Sequence, residues 1–432
     1  MNGSTSSFSY SRSVLPNGLR VITVPMQSTR TVTVLVMVGT GSRYESREIN
    51  GLSHFLEHMM FKGTTKRPQA MDIAEELDAI GASYNAFTSK EYTGYYIKCS
   101  SDRFDTAVDV ISDIFKNSVF KDEEINKERG PIKEEINMYR DTPARHVSEL
   151  FDSLMFGDTP LGWDIAGDKE TIDKLQRPQF VEYFNSHYFA QNTVVVVAGN
   201  VDASSAHGKV QEYFSDIREH EVMQPMSYKS SQTAPAIKIF NKKTDQTNIV
   251  LGFRGLSYLD ERIPVVEVIS TILGGGMSSR LFSEVREKRG LAYYVGSSTG
   301  SFRETGQIAA SAGLNNDNLI PALEIILAQF KRMADEAVSE KELRKAKDNI
   351  KGTTAIGLES SSSQASFFAD QELLEQRIRT IDEQLAKIEE VTADQIQSLS
   401  RELFVPDQLN LALIGPFSED ERSITSLING WK

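Results

Sequence analysis

The sequence predicts an α+β protein of two homologous domains, each a mainly antiparallel sheet covered by helices. Three observations carry this. At 432 residues the chain is too long for one compact core. Apolar runs with strand character alternate with helical patterns along its whole length. Similar patterns also recur at a constant offset of 215 residues, which carries "TVTVLVMVGTGSRYESREINGLSHFLEH" from Thr31 onto "QTNIVLGFRGLSYLDERIPVVEVISTIL" from Gln246 without a gap.

Under that offset Ser42 falls on Ser257 and Glu45 on Asp260. "RPQFVEYFNSHYFAQNTVVVVAGNVD" from Arg177 falls on "TADQIQSLSRELFVPDQLNLALIGPF" from Thr392, with Phe189 on Phe404 and Gly199 one residue before Gly415. Strands are expected at "GLRVITV", "TVTVLVMV", "NTVVVVAG", "TNIVLGF" and "LNLALIG". Helices are expected over Arg103 to Phe115, Asp122 to Tyr139 and Leu319 to Ala337. The polar segment 219–234, "EHEVMQPMSYKSSQTA", lacks periodicity and reads as a linker between domains 1–218 and 235–432.

A net charge of −13 argues against a nucleic-acid partner, because phosphate binding needs surplus Lys and Arg. It permits basic substrates but is equally the mark of an acidic, solvated surface. No apolar run is long enough to span a membrane. The Ser-rich start "MNGSTSSFSYSRSV" has neither a secretion signal's apolar core nor a transit peptide's arginines, so a soluble, cytoplasmic protein is expected. The single cysteine, Cys99, forms no internal disulfide and sits in the alternating "GYYIKCS", which reads as sheet or core.

The chemistry is concentrated in "GLSHFLEHMMFKGT", Gly51 to Thr64, which holds two of the six histidines. On a helix, His54 and His58 lie on one face and can aim their imidazoles at one point. Neutral imidazole is a good zinc ligand. Glu57 is one turn from His54, within reach of a water held at a metal, and a carboxylate there can take up a proton and pass it on. Two histidines making ordinary hydrogen bonds is the plainer reading. Against it stand the embedded glutamate and the apolar neighbours Phe55, Leu56, Met59 and Met60, since polar groups on a mostly buried helix need partners. The offset supplies an internal control: His54, Glu57 and His58 fall on Ile269, Ile272 and Leu273, apolar filling for the same helix in the second copy. A third ligand must come from elsewhere. "DEEINKERGPIKEEINMY" offers Glu123, Glu124, Glu128, Glu134 and Glu135, of which Glu128 and Glu135 share a face beside a stripe of Ile125, Ile132 and Ile136.

His-x-x-Glu-His, a Glu 77 residues after the second His, and a duplicated α+β chain resemble the inverzincin zinc peptidases of the pitrilysin and insulinase type, in the branch of mitochondrial processing peptidase and its bacterial relatives. The resemblance runs from Leu15 to Gly415. It implies one zinc per chain held by His54, His58 and Glu135, with Glu57 as general base and Glu128 as the carboxylate steadying a ligand histidine. Glu134 competes for the third position but points about 100° away from Glu135 on a helix. "NAFTS" resembles the family's edge strand, so Asn85, Ala86 and Phe87 are expected to receive an extended peptide through backbone hydrogen bonds. "GGGMSSRLFSEVREKRGLAYYV" resembles the family's glycine-rich loop, and implies that Arg286 and Tyr293 hold substrate and stabilise an oxyanion. No Lys-Ser/Thr follows the glycines to complete a phosphate loop.

Pro131 departs from the family pattern and predicts a mild kink between Glu128 and Glu135. The expected function is a zinc endopeptidase for extended or unfolded peptides. Family members of this length pair two chains into a clamshell, and this chain carries both the zinc set and the Arg/Tyr set, so a homodimer can be complete. A heterodimer with a related chain is the variant of that arrangement. The rival readings are a non-catalytic subunit or scaffold, and a dedicated leader-peptide maturation protease.

Overall fold

The structure, a computed structural model, describes residues 10–432 and is built on two sheets. Six strands form the first: β1 (Ser11–Val14), β2 (Arg20–Pro25), β3 (Thr31–Val38), β4 (Ser83–Thr88), β5 (Thr93–Ser100) and β6 (Thr193–Gly199). Their order across the sheet is β1-β2-β6-β3-β5-β4, antiparallel except between β2 and β6. Five strands form the second: β7 (Ala236–Asn241), β8 (Gln246–Gly255), β9 (Ala292–Ser301), β10 (Gly306–Asn315) and β11 (Asn410–Gly415). Their order is β7-β11-β8-β10-β9, antiparallel except between β7 and β11. Without β1 the two orders are the same, and β3 and β8 begin at Thr31 and Gln246, the pair the sequence offset joins. This is the duplicated α+β architecture expected from the repeat.

The chain divides into two compact units, one of residues 10–136, 164–226 and 355–382, the other of 137–163, 227–354 and 383–432. They are discontinuous because each half of the chain gives one helix to the other half's sheet. In the first unit the helix Ser361–Asp370 lays Ala365, Phe368 and Ala369 against Ile22, Leu35, Val194 and Val196. In the second, the helix Pro143–Phe156 lays Val147, Leu150 and Phe151 against Val250, Ala309, Ala412 and Ile414. This exchange departs from the contiguous domains 1–218 and 235–432 expected above. An amphipathic helix announces that it will cover something, but its periodicity does not say which sheet. The segment 219–234 carries no helix or strand, and the chain passes from the first unit to the second within it, after Met226.

Coverage on both faces explains the uninterrupted valines of β6. Val195 and Val197 face the large helical layer of the first unit, while Val194, Val196 and Ala198 face the exchanged helix. At the sheet's edge, β4 keeps the simple alternation: Tyr84 and Ala86 pack toward the large helical layer and Phe87 toward the other face. Among the described residues no helix is long and apolar enough to cross a membrane.

Candidate metal centre

The helix Leu52–Met59 is only eight residues long, and its position depends on what surrounds its start. Leu52, Phe55, Leu56 and Met59 anchor it in the core. Its first N–H groups have no partner within the helix. The buried Glu45 carboxylate takes two of them, from Gly51 at 2.8 Å and Ser53 at 2.6 Å, and also accepts from Asn50 Nδ2 at 3.0 Å. Burial pushes the Glu45 carboxyl up, and these hydrogen bonds oppose it. Gly51 has φ 99° and lies so close to Ala166 that a Cβ would sit 2.6 Å from its carbonyl oxygen, so this entry to the helix requires glycine. The Tyr183 hydroxyl joins Ser53 Oγ (2.8 Å) to Thr40 Oγ1 (2.9 Å) beneath the same turn. The helix, and with it the direction of His54, Glu57 and His58, is thereby fixed. In the second unit the corresponding helix, Ile263–Gly274, buries Ile269, Ile272 and Leu273 in its core.

The helix Asp122–Asp141 runs through Pro131 without interruption. Ile125, Ile132 and Ile136 bury its inner stripe, and Glu128 and Glu135 lie alongside and reach the histidines together. Glu135 Oε2 is 3.5 Å from the Nε2 atoms of both His54 and His58. One donor atom from each of these three residues lies within 4.8 Å of the others, and the two imidazole centroids are 4.7 Å apart. Glu134 is exposed and outside the cluster. Behind His58, its Nδ1 lies 3.0 Å from Glu128 Oε1, and the other Glu128 oxygen accepts from Lys62 Nζ at 2.6 Å. A Glu128 carboxylate at Nδ1 favours the tautomer with its proton there, which would leave the Nε2 lone pair for a metal ion.

The donor set suits a zinc ion. Two imidazole nitrogens and one carboxylate oxygen converge, which is the three-ligand complement of a catalytic site once an ion takes the place of the imidazole protons. The surroundings also favour positive charge there. Burial alone would lower His58, but Glu128, Glu135 and Glu57 outweigh it and raise its pKa to about 9. Burial would raise Glu128, yet its hydrogen bonds to His58 and Lys62 hold it below the ordinary carboxylate range. Glu128→Gln is therefore expected to weaken zinc binding by about 10- to 100-fold with the fold intact, measured by competition against a chelator.

Glu57 points to the β4 side, where Thr88 Oγ1 donates to its Oε2 at 2.5 Å. Burial pushes its carboxyl up, opposed by Thr88 and His58 and reinforced by Glu135. On β4, the exposed Asn85 turns its Oδ1 back to accept the Ala86 N–H at 2.9 Å. Phe87 lies over Gly94, where a Cβ would meet its ring at 2.2 Å, and beside Tyr92. What Asn85, Ala86 and Phe87 offer in common is the backbone of an edge strand. Arg286 and Tyr293 belong to the second unit. Arg286 sits in a π-helical turn, Phe282–Glu287, with its guanidinium 5.9 Å from the ring centre of Tyr293, a residue 73% exposed.

The sequence assigns no role in the site to Glu45, Lys62 or Thr88. Each meets the site through a contact between separate segments, for which local spacing carries no signal.

Residues 20–169 match insulinase, peptidase family M16, and residues 174–350 match the peptidase M16 inactive domain. The chain belongs to peptidase family M16. Its relatives include a protein of Streptomyces coelicolor named as an uncharacterized zinc protease, 36% identical over 418 residues, which cover 95% of this chain and 91% of that one. A second, named the uncharacterized zinc protease YmxG of Bacillus subtilis, is 37% identical over 400 residues, 93% and 97% of the two chains. A solved protease from Helicobacter pylori superposes with a TM-score of 0.88 at 23% identity, covering 95% of this chain and all 100% of that one. A solved M16 inactive domain from Pseudomonas fluorescens gives 0.87 at 18% identity, covering 95% and 98%. At those identities the two structures speak to the M16 fold.

Proposed function

We propose that this chain is a zinc-dependent endopeptidase that hydrolyses extended or unfolded peptides by means of an activated water. One observation carries the reading: two imidazole nitrogens and a carboxylate oxygen converge within 4.8 Å, with a second carboxylate, Glu57, on the same short helix. The zinc-protease relatives support the choice of metal. His54, His58 and Glu135 would hold one zinc per chain. When bound, zinc supplies the Lewis acidity that makes water a usable nucleophile near neutral pH.

The chain's own groups do the rest. Glu57 takes a proton from the attacking water and returns it to the leaving amine. Glu128 holds the His58 tautomer, with Lys62 neutralising its outer oxygen. The β4 edge binds the peptide as an added strand, which gives affinity with little demand on sequence. Arg286 and Tyr293 of a paired chain donate to the oxygen on which charge develops.

The intact His-x-x-Glu-His set counts against a non-catalytic subunit. A single leader peptide as substrate is a narrower form of the same activity. The test is cleavage of internally quenched fluorogenic peptides with and without a strong zinc chelator. The expected result is cleavage that the chelator abolishes and added zinc restores. Cleavage indifferent to the chelator would contradict the reading.

We further propose that two chains pair, so that each Arg286/Tyr293 set serves a partner's zinc centre. Light scattering is expected to give a mass near twice 48.2 kDa. A monomer with full activity would refute the pairing.

A further inference from the structure

The hydrogen bond between Thr88 and Glu57 joins two parts of the site that the endopeptidase reading treats separately. Thr88 is the last residue of β4, and Tyr84, Ala86 and Thr88 share the face of that strand turned toward the His54 helix. Its hydroxyl donates to Glu57 Oε2, the only protein donor to that carboxylate among the described residues. The frame around this bond is stiff. The turn after β4 closes with Ser89 N–H to Tyr92 O at 2.8 Å. It is stitched to the 41–45 segment by Ser42 N–H to Ser89 O (3.2 Å) and Arg43 N–H to Lys90 O (2.8 Å). Gly41 lets the two backbones meet, since a Cβ there would lie 2.2 Å from Ser89 O. The same segment carries Glu45, which holds the start of the His54 helix. Helix and strand end are thus tied to one support, and the Thr88–Glu57 bond spans the gap between them.

We propose that Thr88 is a positioning residue for the general base: it pins one oxygen of Glu57 so that the other faces the water, and, because it ends the edge strand, it sets the base in register with a peptide paired to that strand. This rests on the endopeptidase reading. A carboxylate free to rotate would spend part of its time with neither oxygen aligned, and misalignment of a catalytic group lowers turnover more than binding.

The test compares Thr88→Ala, Thr88→Ser and Thr88→Val with wild type and Glu57→Gln, all as full-length, zinc-loaded protein. Readouts are kcat, KM and zinc content. The Ala and Val variants are expected to lose about 10- to 100-fold in kcat, with KM changed by no more than about twofold. Zinc content is expected to stay at the wild-type level. The Ser variant, which keeps the hydroxyl, is expected to remain within about threefold of wild type. Ser and Ala differ only in that hydroxyl, so the pair decides the matter even if the Val variant does not fold. Equal kcat in the two overturns the proposal, and so does loss of zinc or of folding in both, which would make Thr88 a structural residue. An active wild type with equal Ser and Ala variants rejects the Thr88 role alone. A zinc-loaded wild type that cleaves no peptide rejects the endopeptidase reading, and the Thr88 role falls with it.

Discussion

Glu57→Gln is expected to lower kcat for an extended peptide by about 10²- to 10⁴-fold while the protein keeps its zinc. Glutamine has the size of glutamate, and its amide oxygen can still accept from Thr88, whose hydroxyl lies 2.5 Å from Oε2 in the parent. It cannot take a proton from water. Glu57 is also not among the three residues whose donor atoms converge, so its charge is not needed to retain the ion. The variant therefore separates chemistry from metal binding. Kinetics and metal analysis on the same preparation check it, and a variant with kcat near the parent's would assign the base to another group.

Glu135→Gln is expected to act on the other side of that division. Its carboxylate supplies the one negative charge in the converging set, with Oε2 3.5 Å from both histidines. An amide in its place is neutral and a poor ligand. Zinc affinity is expected to fall by about 1,000-fold or more, beyond the 10- to 100-fold typical of an outer partner such as Glu128. Titration against a chelator of known affinity measures it, with cleavage lost in parallel. Parent-like affinity would mean that another group, the neighbouring Glu134 first among them, completes the ligand set.

Much of the fold is legible in the sequence because the chain states it twice. β3 and β8 each begin where the repeat offset puts them, and β6 and β11 are apolar runs that end on Gly199 and Gly415. The source of the covering helices is not legible. Phe368 and Phe151 look like ordinary core residues of their own halves, and only tertiary structure sends each to the other sheet. The candidate site divides in the same way. His54, Glu57 and His58 stand out by spacing, and their counterparts Ile269, Ile272 and Leu273 show what that helix is without them. Glu135 does not stand out among five glutamates in its segment, and only the family resemblance singles it out. Pro131 reads as a threat to that helix, yet the helix continues through it and both glutamates reach the histidines. Glu45 and Thr88 are invisible to any local pattern, since each depends on a loop or strand end brought alongside by folding.

The account rests on one divalent cation held between His54, His58 and Glu135. Diffraction from crystals of the zinc-loaded protein, collected on both sides of the zinc absorption edge, tests this most directly. The predicted result is one strong anomalous peak per chain, bonded to Nε2 of His54, Nε2 of His58 and a carboxylate oxygen of Glu135. A map from zinc-loaded protein with no peak at that point, or with its peak on other residues, would contradict the account.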